Sequence, residues 1–327
     1  MKKVLVIDLM DEPGHVNTNK RLINILKKTF DVTFVATNEY VSQFEDVSVD
    51  KIKIKKVKIP TGMGLRMSQL MMLFGVKNLI AQEQYRLVIF LAYETISMSL
   101  FTRFLLGKSA KKCFVFNHNN IDQLSVSKMK RYFFQNMNGA VRHLVYESYI
   151  KKYLIDDFRK TVDIISHPLP LKHNSGGVKK FQMFSPSAGG KVHNFEILEV
   201  ASRMPGLKVF LKGDYVFQKN NCVIKPNYDN YFELLQSSTF VFVPVDYSYR
   251  VSGVVYEALA NNCVVILLTS LLAVELKQRF PNEIYIIDKV KDLPEMINSF
   301  TSHLPEQPEI FKQHNDDFIS QQFDNLL

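Results

Sequence analysis

Residues 239–268 hold the side chains best suited to chemistry. Arg250 carries a fixed positive charge, Ser252 and Gly253 follow it, and Glu257 lies four residues past Gly253. Four residues make about one turn of helix. A helix starting at Gly253 offers unpaired backbone N–H groups beside Arg250, a setting that suits phosphate. Gly253 lets a ligand approach those groups closely, and Ser252 is expected to cap the helix. Glu257 is then placed to accept hydrogen bonds from hydroxyls. The chemistry this predicts is recognition of a phosphorylated, hydroxyl-bearing ligand.

Two other clusters sit in comparable positions. Residues 185–190 form a small-residue loop followed by Lys191. Backbone N–H groups in such a loop, with a lysine beside them, can cradle a diphosphate. Asn117, His118, Asn119 and Asn120 close an apolar run at residues 112–116. Polar residues at the end of a buried strand are where a doubly wound fold places its site.

The elements that must hold these groups read as alternating strands and helices. Residues 240–245 are apolar, β-branched and aromatic, which predicts a strand covered on both faces, and residues 264–268 predict the next strand. Residues 2–8, a helix from about 17 to 30, and residues 31–36 make a βαβ opening. Strands at 86–91, 112–116 and 143–147 and a helix at 148–158 continue it. Residues 51–60 alternate apolar and lysine, predicting an edge strand with one buried face. Prolines and glycines in residues 166–180 mark a linker. Strands near 181–184, 207–211 and 222–225, a helix at 228–237, and further alternation to residue 300 follow. The predicted fold class is α/β, with two Rossmann-like, doubly wound domains. Residues 1–167 form the first and 168–307 the second, and residues 308–327 form a terminal helix placed to pack on the first.

The run Glu257-Ala-Leu-Ala-Asn-Asn-Cys-Val-Val-Ile resembles the donor-site segment of retaining GT-B glycosyltransferases, the glycosyltransferase family 4 or group 1 class. That pattern is Glu, seven residues, Glu, then Ala-(Met/Leu)-Ala and a strand such as Pro-Val-Val. The second half matches. In the first half Tyr249 stands where the family has Glu, and Ser252 stands where it has glycine, with Gly253 one place later.

The resemblance implies two domains facing a cleft and metal-independent transfer of a sugar, with retention. The donor is a nucleotide-sugar and the acceptor a glycan or a lipid-linked acceptor, in making surface polysaccharide or glycoconjugate. Donor contacts would come from Glu257, Gly253, Ser252, Val254, Tyr249 and Gly213. Arg250 and Lys191 would meet the leaving diphosphate. His118 matches a histidine at the end of a comparable strand, although Asn119 replaces the Asp that often follows it. Gly14, His15, Asn17 and Asn119 fall in loops that face the family's cleft. No cofactor is implied.

Composition narrows the alternatives. No Asp-x-Asp, no His-x-x-x-His, no phosphate-binding Gly-x-x-x-x-Gly-Lys loop and no Gly-x-Gly-x-x-Gly is present. Cys113, Cys222 and Cys263 are far apart and read as buried free thiols of a reducing compartment. The start, with residues 4–7 as its only apolar run before Asp8, does not read as a secretory signal. No run reaches the ~18–20 apolar residues of a membrane span. Net charge is +9, with 16 Lys+Arg against 4 Asp+Glu in residues 51–150. A basic half suits an anionic surface, so a cytoplasmic protein in peripheral contact with the inner face of the membrane is expected. Nucleic-acid motifs are missing, and no nucleic-acid partner is expected. Three other readings stay open: a nucleotide-sugar epimerase on the same fold, a non-catalytic relative, which Tyr249 in place of Glu would suit, and a nucleic-acid binder using the basic half.

Overall fold

The computed structural model describes residues 1–56, 64–117, 120–169, 178–187, 191–244, 248–300 and 310–327. The chain divides into two compact units, Met1–Pro168 with Asn315–Leu327, and Leu169–His314.

The first unit is built on strands β1 (Lys3–Asp8), β2 (Asp31–Thr37), β3 (Asp50–Ile54), β4 (Tyr85–Ala92), β5 (Cys113–Phe116), β6 (Arg142–Val145) and β7 (Val162–Ile164). They form one sheet in the order β3-β2-β1-β4-β5-β6-β7, and neighbours run parallel. The chain winds outward from β1 to β3, then crosses back and winds the other way from β4. The switch point therefore lies between β1 and β4. Val4, Leu5, Val6 and Ile7 are fully buried, as are Leu87, Val88 and Ile89 beside them. Continuous apolar runs of this kind follow from helices covering both faces of a parallel sheet. The edge strand β3 differs from its sequence reading: Ile52 and Ile54 are only half-buried, so the alternation there gives no fully covered face.

The second unit repeats the plan. Strands β8 (Lys180–Ser185), β9 (Lys208–Lys212), β10 (Phe217–Lys219), β11 (Cys222–Lys225), β12 (Ser238–Val243), β13 (Val264–Leu268) and β14 (Ile284–Ile287) order as β10-β11-β9-β8-β12-β13-β14. Only the β10–β11 pair is antiparallel among these. The switch point here lies between β8 and β12. Met183, Val209, Phe240, Phe242, Val264 and Ile266 form the centre of its core.

The last residues form two short helices, Ile310–Gln313 and Asp316–Asp324. The first belongs to the second unit, where the His314 ring lies 5.3 Å from that of Tyr256. The second packs on the helix Val16–Leu26 of the first unit. There Lys28 and Arg21 both meet Asp316, and Thr29 and Ser320 share a hydroxyl bond of 2.5 Å. Among the described residues no helix is long and apolar enough to cross a membrane.

Candidate functional site

In the second unit two connections converge on the switch point. β8 leads to the helix Lys191–Arg203, and β12 leads to the helix Gly253–Ala260. Both helices start at the carboxyl ends of adjacent parallel strands. Their N-terminal N–H groups and dipoles thus serve one end of the sheet, where open α/β folds bind ligands. Lys191, Gly253 and Val254 are brought to that end by topology. Tyr249 and Arg250 are half-buried in the connection before the second helix.

Ser252 occupies the N-cap with extended backbone, φ −102° and ψ 112°. It is buried, and its carbonyl accepts from Val255 N–H at 3.1 Å. Ser252 thus stands at the N-cap as expected, although its hydroxyl makes no capping hydrogen bond. The helix closes at Asn261 and Asn262. Cys263 N–H reaches back to the Ala258 carbonyl at 3.0 Å, and Asn262 sits at φ 56°. This is the left-handed closure that asparagine tolerates.

Glu257 sits half-buried on the second turn of the helix. Tyr231, at the start of the helix Tyr231–Ser237, donates its hydroxyl to Glu257 Oε2 at 2.5 Å. Burial raises the Glu257 pKa, and the Tyr231 bond opposes that rise. Burial and the neighbouring carboxylate push the Tyr231 hydroxyl upward too, so it stays a donor. One carboxylate oxygen, Oε2, is therefore committed within the protein. Sequence reasoning missed Tyr231, because a partner 26 residues away leaves no local signal.

Gly213 follows β9, and its N–H donates to the Lys225 carbonyl at 3.1 Å. A Cβ there would meet Asn194 Nδ2 at 2.7 Å and Ile224 Cγ2 at 2.8 Å. Asn194 is buried in the first turn of the helix Lys191–Arg203. The glycine thus lets that turn seat against the end of β9.

In the first unit the loop after β1 is tied down by acids. Asp8 is fully buried; Oδ1 accepts from Met10 N–H at 2.9 Å and Oδ2 from Asn19 Nδ2 at 2.7 Å. Burial raises its pKa to about 7 against those two hydrogen bonds, with the charges of Asp11 and Glu12 adding to the rise. Asp11 stands at φ 55°, and its carboxylate takes Thr37 Oγ1 and Lys56 Nζ, each at 2.8 Å. Gly14 and His15 lie in a 3-10 turn, Pro13–His15, and Asn17 is exposed in the helix Val16–Leu26. That helix starts one residue earlier and ends four earlier than its pattern predicts. His15 Nε2 lies 3.2 Å from Glu12 Oε2.

A pocket of about 130 Å³ opens at this switch point, between the ends of β1, β4 and β5. Glu12, His15, Tyr93, Glu94, Asn120 and Lys130 are among its lining residues. The sequence reading does not single out Glu94. His118 and Asn119 lie outside the described residues, as does the side chain of Lys191. Among the described residues no group of three or more His, Cys, Asp or Glu is placed to hold a metal.

Whole-chain comparison gives the class of fold. The structure is similar to that of Anabaena Alr3699/HepE in complex with UDP and glucose, at 14% identity, with 99% of each chain covered and a TM-score of 0.70. It is similar to Arabidopsis thaliana UGT89C1 complexed with quercetin, at 14% identity, 99% of this chain and 98% of that one, with a TM-score of 0.61. It is also similar to the UDP-GlcNAc 2-epimerase from Neisseria meningitidis bound to UDP-GlcNAc, at 13% identity, 99% and 98% coverage and a TM-score of 0.58. The chain has the α/β GT-B fold shared by glycosyltransferases and this type of epimerase. No family model and no curated protein sequence matches it.

Proposed function

We propose that the protein is a glycosyltransferase that takes its sugar from a UDP-sugar. The observation that carries this reading is the second unit's switch point, where two helix N-termini, Arg250 and Glu257 share one end of the sheet. The helix dipoles and Arg250 supply positive charge for a diphosphate. Glu257 Oε1 supplies an acceptor for a ribose hydroxyl. Binding of UDP by the similarly folded HepE, and of UDP-GlcNAc by the epimerase, supports a uridine nucleotide.

On this reading Gly213, Ser252, Val254 and Tyr249 surround the nucleotide, and Lys191 joins Arg250 at the diphosphate. Charge met by Arg250, Lys191 and backbone N–H groups is what metal-independent departure of UDP requires. The first unit takes the acceptor, a glycan or lipid-linked hydroxyl, at the pocket beside Glu12 and His15, with Gly14 in the turn before the helix Val16–Leu26 and Asn17 in its first turn; His118 and Asn119 keep the roles that the resemblance implies. Retention of configuration rests on the likeness of the Glu257 segment to retaining enzymes. Synthesis of surface polysaccharide or glycoconjugate is the corresponding role.

Peripheral membrane contact is supported by the helix Gly64–Ala81. It buries Met72, Leu73, Val76 and Ile80 but exposes Leu65, Met67, Met71 and Phe74. Met67, Met71 and Phe74 follow helical spacing, with Arg66 and Lys77 nearby in sequence. An apolar stripe flanked by basic residues suits an anionic bilayer surface.

Incubation with a panel of UDP-sugars and mixed glycan and glycolipid acceptors tests the reading. Sugar transfer with UDP release is expected. A C2-epimerised nucleotide sugar as the sole product would replace it with the epimerase reading, and the absence of any turnover with UDP bound would favour a non-catalytic protein.

A further inference from the structure

The pocket at the first unit's switch point is lined by Glu94, whose carboxylate has one oxygen without a hydrogen bond among the described residues. Glu94 lies between β4 and the helix Thr95–Phe104, with its side chain 6% exposed. Its Oε2 caps that helix, accepting from Ser97 N–H and Ser97 Oγ, both at 2.8 Å. Its Oε1 is buried with no hydrogen-bond partner among the described residues. Arg66 stands beside it, with Nε 3.7 Å from Oε1, beyond hydrogen-bond reach, on a side chain 44% exposed. A buried, unsatisfied acceptor is costly and calls for a cause. The helix cap fixes the carboxylate's rotamer through Oε2, so Oε1 is held in place.

The rest of the lining fits one class of ligand. Leu65, Met10 and Phe116 bring apolar surface, while Asn120, His15 and Lys130 bring polar groups. A pyranose presents the matching surfaces, with apolar C–H faces and a rim of hydroxyls. An ionised carboxylate accepts but cannot donate. Oε1 thus takes a hydroxyl or an ammonium and repels a second carboxylate.

We propose that this pocket is a sugar-binding subsite in which Glu94 Oε1 accepts a hydrogen bond from a hydroxyl of the acceptor. Glu94 thereby selects neutral and amino sugars over uronic acids. This rests on the reading of the protein as a glycosyltransferase, with the acceptor held by the first unit. Glu94 binds and orients the hydroxyl.

Saturation-transfer NMR tests it with three probes: methyl β-D-glucopyranoside, its 2-amino-2-deoxy counterpart and methyl β-D-glucuronide. Each is measured on the full-length wild type and on Glu94→Gln, with UDP binding followed by calorimetry on the same samples. Glutamine keeps a carbonyl oxygen to cap Ser97 but replaces one oxygen with an amide donor. The wild type is expected to bind the first two probes and to disfavour the glucuronide. Glu94→Gln should weaken the first two by about tenfold, the scale of a hydrogen bond to a charged group. It should also reduce the bias against glucuronide, an effect that a purely structural role would not produce. Equal UDP binding by both proteins shows that the variant is folded. With UDP bound, unchanged probe binding and selectivity in Glu94→Gln, or no probe binding to the wild type, overturns the subsite. A wild type that fails to bind UDP instead removes the reading of function on which the subsite rests.

Discussion

The Tyr231 hydroxyl donates to Glu257 Oε2 at 2.5 Å, joining the helix before β12 to the helix after it. The bond commits Oε2 within the protein. Tyr231→Phe removes the donor and keeps the ring. Burial then acts on Glu257 unopposed, and its pKa rises further. The variant is expected to lose ~1.5–3 kcal/mol of stability, the scale of a hydrogen bond to a charged group. Urea unfolding measures this. A Tyr231→Phe protein as stable as the wild type would show that the bond contributes little.

The buried carboxyl of Asp8 is expected to make the protein's stability depend on pH. Its pKa is raised from 3.8 to about 7 by burial. An acid whose folded pKa exceeds its unfolded value holds its proton more tightly when folded. Its stabilising contribution is complete below about pH 4 and is lost as pH rises through 7. Asp8→Asn has no proton to lose. Wild-type stability should therefore fall relative to Asp8→Asn by up to ~1.4 kcal/mol per pH unit across that window. Denaturant titrations at pH 4.5, 5.5 and 6.5 check the slope; a constant difference between the two proteins would contradict it.

Much of this architecture is legible in the sequence. The strand Val264–Leu268 falls at the bounds its pattern predicts. Punctuation explains this: Asn261-Asn262 closes one helix, and Ser270 caps the next through Ala273 N–H. The short β10 strand was not legible, because Phe217–Lys219 is too brief to show a period. The helix Thr95–Phe104 was hidden in an apolar run shared with β4, which buries Ser97, Ser99 and Thr102 as well. Of the candidate site, the sequence offers residues on one local segment, Arg250 to Glu257 above all. It does not offer Tyr231, Asn194 or Glu94. Their roles depend on partners fixed by tertiary packing or on burial, and neither leaves a spacing in the chain.

Gly213 has a packing role that is directly testable. An alanine Cβ would press on Asn194 Nδ2 at 2.7 Å and on Ile224 Cγ2 at 2.8 Å. Overpacking of this kind costs ~1–3 kcal/mol. Gly213→Ala should be destabilised by that amount, and Asn194→Ala in the same chain should restore part of it. Thermal melts of the single and double variants decide; additive losses would show that the two residues do not compete for the space.

The outward stripe of the helix Gly64–Ala81 should bind anionic vesicles. Cosedimentation with phosphatidylglycerol-containing vesicles is expected to weaken with added salt, as screening removes the basic contribution. Met71→Glu with Phe74→Glu, both exposed positions, should abolish it while leaving the melting temperature unchanged. Equal partitioning to neutral and anionic vesicles, or no effect of the double change, would remove this surface from the account.

The central claim is that the second unit binds a uridine nucleotide through Glu257 and Arg250. Calorimetric titration of the wild type, Glu257→Ala and Arg250→Ala with UDP tests it most directly. Saturable binding to the wild type is predicted at one site per chain. Glu257→Ala should weaken it by ~1.5–3 kcal/mol through loss of the ribose contact, and Arg250→Ala by a similar amount through loss of the diphosphate contact. No UDP binding to the folded wild type, or equal affinity in all three proteins, would contradict the account.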